Sequence, residues 1–343
     1  MRNRLTFVVL AGALLSGFVL MHAQAPKKQR LNPMIELLEQ KKPVFGLYAP
    51  SNRRPGGRGP GGAAAPVAAQ TPAPPQKTPL ELAKEAVAYK SADFIFDGSM
   101  EGGVDRGLPA YTEFVKGMQE AGALRKSPFA RLTHPLVVKM EEIAPNPAKA
   151  AEAIGKQLNL GVSGIMFVKA ESADEVKAGI AAMRFKSKGG TRPDSVGSAS
   201  AYWGLSEAEY RQKADLWPLN PDGELINWTI IESKEGLAHV REIAAVPGIG
   251  VLWPGAGTLR GVFSTTDANG QRQPDPAAWE NAIQQVLSAC KEFKIACGYP
   301  ANPDDSEMRM KQGFSVFVMN WGDAGFKAID IGRRVASRSD TSQ

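Results

Sequence analysis

The sequence predicts a single α/β domain built as a closed (β/α)8 barrel. Eight apolar stretches have the length of buried strands, and turn residues bound each of them. Helical patterns separate most of these stretches, which is typical of a parallel sheet covered by helices. An open doubly wound sheet is the competing architecture, but no predicted strand is followed by a G-x-G-x-x-G turn that opens a helix. We therefore expect the closed barrel.

The chain opens with a segment typical of a secretory signal peptide. Residues 1–23 contain two arginines, an apolar run from Leu5 to Met21, and small residues near the end. A membrane anchor is the alternative, because this run is close to the lower limit for spanning a bilayer. No second apolar run follows, so we expect cleavage after Ala23, export to the periplasm or the exterior, and no stable membrane span afterwards.

A Gly/Pro/Ala-rich stretch, residues 51–79, interrupts the chain soon after its start. Such a composition does not hold a unique fold. A linker between domains is the alternative, but residues 24–50 offer only one helical pattern and one strand, too little for a domain. We therefore expect a disordered insertion into the loop after the first strand. Residues 80–332 then complete the barrel, and residues 333–343 form a flexible tail.

The predicted elements alternate along the chain. The predicted strands read PVFGLYAPS, ADFIFDGS, PLVVKMEEI, SGIMFVKAES, LINWTIIES, IGVLWPGAG, KIACGYPA and FSVFVMNW. The predicted helices read NPMIELLEQKK, LELAKEAVAYK, GLPAYTEFVKGMQEAG, NPAKAAEAIGKQLNLG, SADEVKAGIAAMRF, KEGLAHVREIAAVPG, DPAAWENAIQQVLSACKEF and DDSEMRMKQG.

Residues 186–224 form a long polar and aromatic excursion between the fourth and fifth predicted strands. Such an insertion in a barrel packs in an oligomer interface or forms a lid over the mouth of the site. The sequence leaves both interpretations open. The aromatic residues in and beside the excursion are Tyr202, Trp203, Tyr210, Trp217 and Trp228.

The charge of the chain argues against a nucleic-acid partner, and its two cysteines argue against a zinc site. The formal net charge is +6, and it falls to +4 when Arg2 and Arg4 leave with the signal peptide. This mild excess lies largely in segments before the predicted core, so we expect no nucleic-acid partner.

Cys290 ends a helical pattern and Cys297 lies in a strand pattern, which favours two small core residues over a disulfide. No histidine pairs with them as a zinc site requires.

The side chains after the carboxyl ends of the strands are the candidates for function, because barrel enzymes carry their sites there. Charged residues at these positions include Asp97, Glu101, Lys139, Glu142, Lys169, Glu171, Glu232 and Arg260, the last within a glycine-rich turn. His134 and His239 lie elsewhere, so chemistry based on histidine is not expected.

Several of these motifs, in the same order, resemble the HpcH/HpaI aldolase and citrate lyase family. They include ADFIFDGSMEGG, LNLGVSGIMFVKAESADEV, KGGTRP, the strand and helix containing ES and AVPGI, and GFSVFVMNWGDAGF. The resemblance covers residues 31–333 apart from the insertion. It implies a barrel of the pyruvate/phosphoenolpyruvate aldolase type that makes or breaks carbon–carbon bonds beside a pyruvate-like enolate. It also implies a homo-oligomer.

The resemblance further implies a divalent metal, Mg2+ or Mn2+, held by a Glu after one strand and an Asp after the next. Glu232 matches the first ligand. The second falls on Thr258, or on Gly257 if the turn is aligned without a gap, and neither has a carboxylate. Metal binding would then need oxygens from Glu101, Glu142, Glu171 or the turn's carbonyls.

Three further positions depart from the family pattern. Met100 stands at the position of the catalytic His, Lys139 at that of a substrate-binding Arg, and Asn159 at that of an Asp that supports the His. Met100 cannot shuttle a proton, and Lys139 attracts a carboxylate as a point charge rather than a bidentate fork. Asp97 is unchanged.

We therefore expect a carbon–carbon lyase acting on a small 2-oxo acid through a metal-stabilised enolate. An exported ligand-binding barrel without catalysis is the second hypothesis. The expected roles are metal binding for Glu232, substrate orientation for Lys139 and Arg192, proton transfer for Asp97 or Glu101, and substrate binding for Gly255, Gly257, Thr258 and Arg260. Glu232 could instead cap the following helix, and Arg192 and Arg260 could be solvated loop residues.

Overall fold

The computed structural model describes residues 29–52, 75–268 and 270–338. The expected signal peptide and most of the expected insertion lie outside these ranges. Within them, no helix has both the length and the apolar character needed to cross a membrane.

Eight parallel strands form the barrel and confirm the predicted fold class. They are β1 (Val44–Tyr48), β2 (Phe94–Asp97), β3 (Leu136–Lys139), β4 (Gly164–Phe167), β5 (Leu225–Ile231), β6 (Ile249–Pro254), β7 (Ala296–Pro300) and β8 (Val316–Met319). Each strand pairs with its neighbours in the chain order, and β1 pairs with β8, where Val44 lies opposite Val316. All the pairings around the barrel are parallel, so the carboxyl ends of all eight strands open at the same end.

Helices cover the outside of the barrel. They are α1 (Pro33–Glu39), α2 (Pro79–Ala88), α3 (Val104–Glu120), α4 (Pro147–Leu158), α5 (Ala173–Met183), α6 (Ala199–Trp203), α7 (Glu207–Lys213), α8 (Lys234–Ala238), α9 (Val240–Ala244), α10 (Ala256–Val262), α11 (Pro276–Phe293), α12 (Ser306–Gln312) and α13 (Asp323–Val335). Short strands outside the barrel span Leu124–Arg125, Arg131–Leu132, Leu216–Trp217, Ser264–Thr266 and Arg272–Pro274. The sequence did not predict α10, which forms from the glycine-rich turn after β6.

The two ends of the expected insertion lie side by side. The Asn52 side chain donates to the Lys77 carbonyl and accepts from the Lys77 amide, both at 2.8 Å. Thr78 then caps α2 through a capping box with Glu81, which fixes where the helix begins. The segment between these ends therefore leaves and re-enters the fold at one place, after β1.

Aromatic rings fill the barrel interior. The ring of Trp228 stacks on that of Trp253 with centroids 5.4 Å apart and on that of Phe96 at 5.8 Å. Phe94 meets Trp228 edge-on at 5.3 Å. Trp228, grouped by sequence with the aromatic excursion, is thus a fully buried interior residue of β5.

The aromatic excursion packs at the amino-terminal end of the strands, opposite the mouth. It begins after α5 has returned from the carboxyl end of β4, and it ends where β5 begins. Trp203 donates its indole N–H to the Gly161 carbonyl at 2.8 Å, and Tyr210 donates its hydroxyl to the Leu158 carbonyl at 3.1 Å. Both side chains are fully buried in their own chain. The excursion is therefore neither a lid over the mouth nor, at these rings, an exposed subunit contact.

Two further expectations are wrong. Cys290, near the end of α11, and Cys297, in β7, form a disulfide, because the turn between the two elements brings their Cα atoms within 5.6 Å. The tail is not flexible from residue 333 on: Arg333 lies in α13, and Arg338 donates to both carboxylate oxygens of Asp93 at 2.6 and 2.7 Å. Residues 339–343 lie outside the described ranges.

Candidate functional site

Polar side chains project into the barrel at the carboxyl ends of the strands. Side chains in a strand alternate between the two faces, so the residue two positions after an interior residue also points inward. Val137 and Ile230 belong to the interior cluster, and this alternation places Lys139 and Glu232 above them. Tyr48, the last residue of β1, packs directly on the same cluster. The phenol of Tyr48, the ammonium of Lys139 and the carboxylate of Glu232 therefore all lie at the mouth of the barrel.

Two hydrogen bonds hold the Glu232 carboxylate. Oε1 accepts the backbone N–H of Lys169 at 3.0 Å, and Oε2 accepts the Thr258 hydroxyl at 2.8 Å. Lys169 has a left-handed backbone with φ of 49°, uncommon for a residue with a side chain. Glu232 as a residue is 7% exposed. Its carboxylate is therefore fixed in one orientation at the mouth.

Gly255 makes this position of Glu232 possible. Its amide donates to the Ile231 carbonyl at 2.8 Å, which extends the ladder between β5 and β6 past the strand ends. A Cβ atom at Gly255 would lie 2.4 Å from the Glu232 Cβ atom, closer than two carbons can approach. The glycine is thus required by the close approach of the two strand ends.

Two further carboxylates of the mouth, Glu101 and Asp97, are also partnered. Glu101 Oε1 accepts from Lys139 Nζ at 3.0 Å, and the Lys139 side chain is only 13% exposed. Asp97 Oδ1 accepts the Ser99 amide at 2.8 Å and also the Ser99 hydroxyl. The Glu101–Lys139 ion pair therefore lies on one side of the mouth, at the ends of β2 and β3. Glu232 lies on the other side, at the end of β5.

Tyr48 is a site residue that the sequence reasoning missed. Its ring meets the Phe96 ring edge-on with centroids 5.1 Å apart. Burial raises the pKa of Tyr48 to about 12, and the negative charges of Glu101, Asp97 and Glu232 add to this. The available signal was the alternation of Val44, Gly46 and Tyr48 along the strand, which points all three inward.

Arg192 does not join the other expected site residues. It is 2% exposed, and its guanidinium donates to the Asn159 side chain at 2.8 Å and lies 4.3 Å from the Phe185 ring centroid. Asn159 and Phe185 lie at the amino-terminal end of the barrel, because one precedes β4 and the other follows α5. The expectation that Arg192 orients the substrate is therefore wrong: the loop that carries it is on the opposite end of the strands.

Gly257, Thr258 and Arg260 lie in α10 and are exposed. Thr258 contributes its hydroxyl to Glu232. Met100, which the family resemblance sets at the position of a catalytic His, is fully buried. It packs under α3, where a Cβ atom at Gly107 would lie 2.8 Å from its Cγ atom. Met100 therefore has no part in the mouth.

The donors around Glu232 do not fit the two-carboxylate metal site that the family resemblance implies. Thr258 presents a hydroxyl where a second carboxylate is needed, and it donates to Glu232. Glu101 and Glu142 are each within 3.3 Å of a lysine ammonium, Lys139 and Lys169. Across residues 29–52, 75–268 and 270–338, no three or more His, Cys, Asp or Glu side chains lie together so as to hold a metal ion.

Comparison with known proteins identifies the sequence relatives. The family model HpcH/HpaI aldolase/citrate lyase matches residues 120–328. A hydroxypyruvate/pyruvate aldolase from Paraburkholderia phytofirmans (strain DSM 17436 / LMG 22146 / PsJN) is 27% identical over 161 residues, which are 46% of this chain. The matched region spans 57% of that aldolase's length.

Solved structures share the barrel along most of the chain. An HpcH/HpaI aldolase/citrate lyase family protein from Burkholderia cenocepacia J2315 superposes with a TM-score of 0.58 at 18% identity, covering 88% of this chain and 97% of the other. Macrophomate synthase superposes with a TM-score of 0.55 at 18% identity, covering 93% and 94%. At these identities the likeness establishes the fold.

Proposed function

Because the chain belongs to the HpcH/HpaI aldolase/citrate lyase family, we propose that it is a carbon–carbon lyase acting on a small 2-oxo acid. The observation that carries the proposal is the arrangement of Glu232 and Lys139. The carboxylate is fixed by two hydrogen bonds on β5, and the ammonium is held inward on β3, two strands away in the same mouth.

Lys139 is the group that binds the substrate carboxylate. Its ammonium lies at the mouth with most of its side chain buried, and its only ion-pair partner within the described ranges is the partly exposed Glu101. An incoming 2-oxo acid competes with Glu101 for this charge. An ammonium of this kind attracts carboxylates as a point charge and fixes one end of the substrate.

Glu232 is the group that accepts a proton. In cleavage of a 4-hydroxy-2-oxo acid, the C4 hydroxyl proton moves to Glu232 and an aldehyde forms at C4. The C3–C4 bond breaks, and its electron pair forms the C2–C3 double bond of the pyruvate enolate. The enolate then takes a proton at C3 to give pyruvate. The hydrogen bonds from Thr258 and Lys169 keep the carboxylate oriented through these steps.

This mechanism uses no metal step, because the donors around Glu232 do not fit the implied metal site. In a non-catalytic barrel the same mouth would bind a small acid without turnover. The buried Met100 at the position of the family's His favours this second candidate function.

Glu232→Gln tests the proposed function. The carboxamide has nearly the shape of the carboxylate but cannot accept the proton. The cleavage rate should therefore fall by about 100-fold or more, with little change in substrate affinity. The measurement is pyruvate release from 4-hydroxy-2-oxopentanoate by the mature chain, coupled to lactate dehydrogenase, together with calorimetric titration of pyruvate. Glu142→Gln is the matched control, since Glu142 lies at the same end but pairs with Lys169 on the surface.

The two candidate functions give different results. Pyruvate release by the wild-type chain and the Glu142 variant, lost in the Glu232 variant, supports the lyase. Pyruvate binding with no release by any of the three proteins contradicts the lyase and supports the ligand-binding barrel.

Location and assembly are also proposals. The amino-terminal pattern supports export to the periplasm or the exterior with cleavage after Ala23. Family membership supports assembly as a homo-oligomer.

A further inference from the structure

We propose that the Tyr48 hydroxyl is the hydrogen-bond donor that stabilises the enolate oxygen of the substrate. This inference rests on the proposed function, because it assigns a role within the same mouth. It concerns the oxygen at C2, where negative charge develops as the C3–C4 bond breaks. A donor aimed at that position lowers the barrier, because its hydrogen bond is stronger in the transition state than in the ground state.

The position of Tyr48 supports this role. Its ring is held against the barrel interior by Phe96, so the hydroxyl is at the mouth. A Cβ atom at Gly98 would lie 3.7 Å from the Tyr48 ring and 4.0 Å from Lys139 Cδ. The Tyr48 ring and the aliphatic part of the Lys139 side chain therefore lie beside the same glycine. A substrate whose carboxylate meets Lys139 brings its neighbouring C2 oxygen towards Tyr48.

The negative charges around Tyr48 favour its protonated hydroxyl, which donates a hydrogen bond, over the phenolate, which can only accept one. Burial, followed by the charges of Glu101, Asp97 and Glu232, raises the pKa of Tyr48 to about 12. The hydroxyl consequently keeps its proton throughout the physiological range. Within the described part of the chain, no hydrogen bond from this hydroxyl to another residue is present. The donor is available to a ligand.

No histidine competes for the role in the described ranges. His134 precedes β3 at the amino-terminal end of the barrel, where it contacts the Tyr89 carbonyl at 3.0 Å. His239 lies between α8 and α9 and contacts the Glu171 carbonyl at 3.1 Å. Met100 is buried under α3. The hydroxyls of Ser99 and Thr258 already donate to Asp97 and Glu232. The Tyr48 hydroxyl is therefore a neutral donor that a ligand at the mouth can use.

The chemistry balances without a further reactant. When Glu232 removes a proton from C3 of pyruvate, the C–H electron pair forms the C2–C3 double bond and the C2 oxygen gains the negative charge. The Tyr48 O–H donates a hydrogen bond to that oxygen and keeps its proton. Return of a deuteron from D2O to C3 restores the ketone and records one cycle of enolate formation.

The test compares the mature wild-type chain with Tyr48→Phe, which removes the hydroxyl and leaves the ring. Two probes are used: calorimetric titration with oxalate, a planar mimic of the enolate, and exchange of the C3 protons of pyruvate in D2O followed by NMR. We expect the variant to bind oxalate about tenfold more weakly and to exchange about 100-fold more slowly, with pyruvate affinity almost unchanged.

Tyr299→Phe is the matched control. Tyr299 is a tyrosine of β7 that packs outward on Phe314, with the Arg309 guanidinium carbon 4.4 Å from its ring centroid. The oxalate affinity and exchange rate of this variant should equal those of the wild-type chain.

The outcomes separate the two proposals. Equal oxalate affinity and equal exchange in the wild-type chain and Tyr48→Phe overturn the role of Tyr48 and leave the proposed lyase standing. No oxalate binding and no exchange by the wild-type chain overturn the proposed function and the role of Tyr48 together.

Discussion

Thr258 is the residue that most changes the chemistry expected of this mouth. The family resemblance places a second carboxylate at Thr258 or at the neighbouring Gly257, and the Thr258 hydroxyl donates to Glu232 at 2.8 Å. A hydroxyl that donates to a carboxylate satisfies one of its oxygens, whereas a second carboxylate beside it would need a cation between the two. Under the proposed function, this hydroxyl leaves Glu232 to act as a base rather than as a metal ligand.

Thr258→Asp should create divalent metal binding at this position. Without metal, the new carboxylate repels Glu232 and lowers the free energy of unfolding. With Mn2+, the pair chelates the ion, and stability rises by about 2.7 kcal/mol when free metal is roughly 100 times its Kd. Thermal unfolding with and without Mn2+ measures this.

Thr265→Asp is the control, because Thr265 lies on an exposed strand outside the barrel. A Thr258→Asp protein that responds to Mn2+ no more than this control or the wild-type chain would refute the assignment of the second ligand position.

Individual side chains are only partly predictable from the sequence. Glu232 and Lys139 can be identified because a charged residue directly follows an apolar strand, which is a local pattern. The prediction for Arg192 fails because its loop motif carries no information about which end of the barrel it joins. Its burial against Phe185 and Asn159 depends on α5 returning to the amino-terminal end before the loop begins.

At the scale of elements, the junction of β6 and α10 controls the site. The glycine-rich sequence after β6 predicts a turn, yet it forms a seven-residue helix that carries Thr258 towards Glu232. The helix begins after Gly255, whose lack of a side chain lets the ends of β5 and β6 stay paired. Local sequence shows the glycines but not the neighbour they accommodate.

Gly255→Ala should lower the free energy of unfolding by about 1–3 kcal/mol, because the new methyl group would overlap the Glu232 Cβ atom. Gly257→Ala, two residues later, is the matched control for stability. A methyl group there would meet no atom of another described element within 4 Å. Alanine also suits a helix better than glycine at this position.

Urea unfolding of the two variants and the wild-type chain measures the difference. Equal stability of the two glycine variants would contradict the close approach of the two strand ends at Gly255.

At the scale of the whole molecule, barrel closure buries groups that distant parts of the chain supply. His134 is an example: it is fully buried before β3, its ring contacts Thr133 and the Tyr89 carbonyl, and burial lowers its pKa from 6.5 to about 4. Between these two pH values the unfolded chain binds a proton at this histidine and the folded chain does not.

Stability should therefore fall as the pH is lowered from 6.5 to about 4, by roughly 3 kcal/mol from this residue over the whole window. Urea unfolding across that range measures the slope, and His134→Asn should have a shallower one. His239→Asn is the control for replacing a histidine by asparagine, because the His239 side chain is 37% exposed. Identical slopes in all three proteins would contradict the buried, neutral state of His134.

The sequence by itself determined the α/β class, the eight strands, the family and the position of Glu232 at a strand end. The class, the strands and the position of Glu232 follow from local patterns: apolar runs, helical periodicity and a charged residue directly after a run. The family follows from the resemblance of several motifs in the same order along the chain. The tertiary structure alone decided what those residues contact. Glu232 takes its two hydrogen bonds from residues 26 and 63 positions away, and Tyr48 and Lys139 both lie beside Gly98. Such partners are set by closure of the barrel, which brings strand ends together regardless of their separation along the chain.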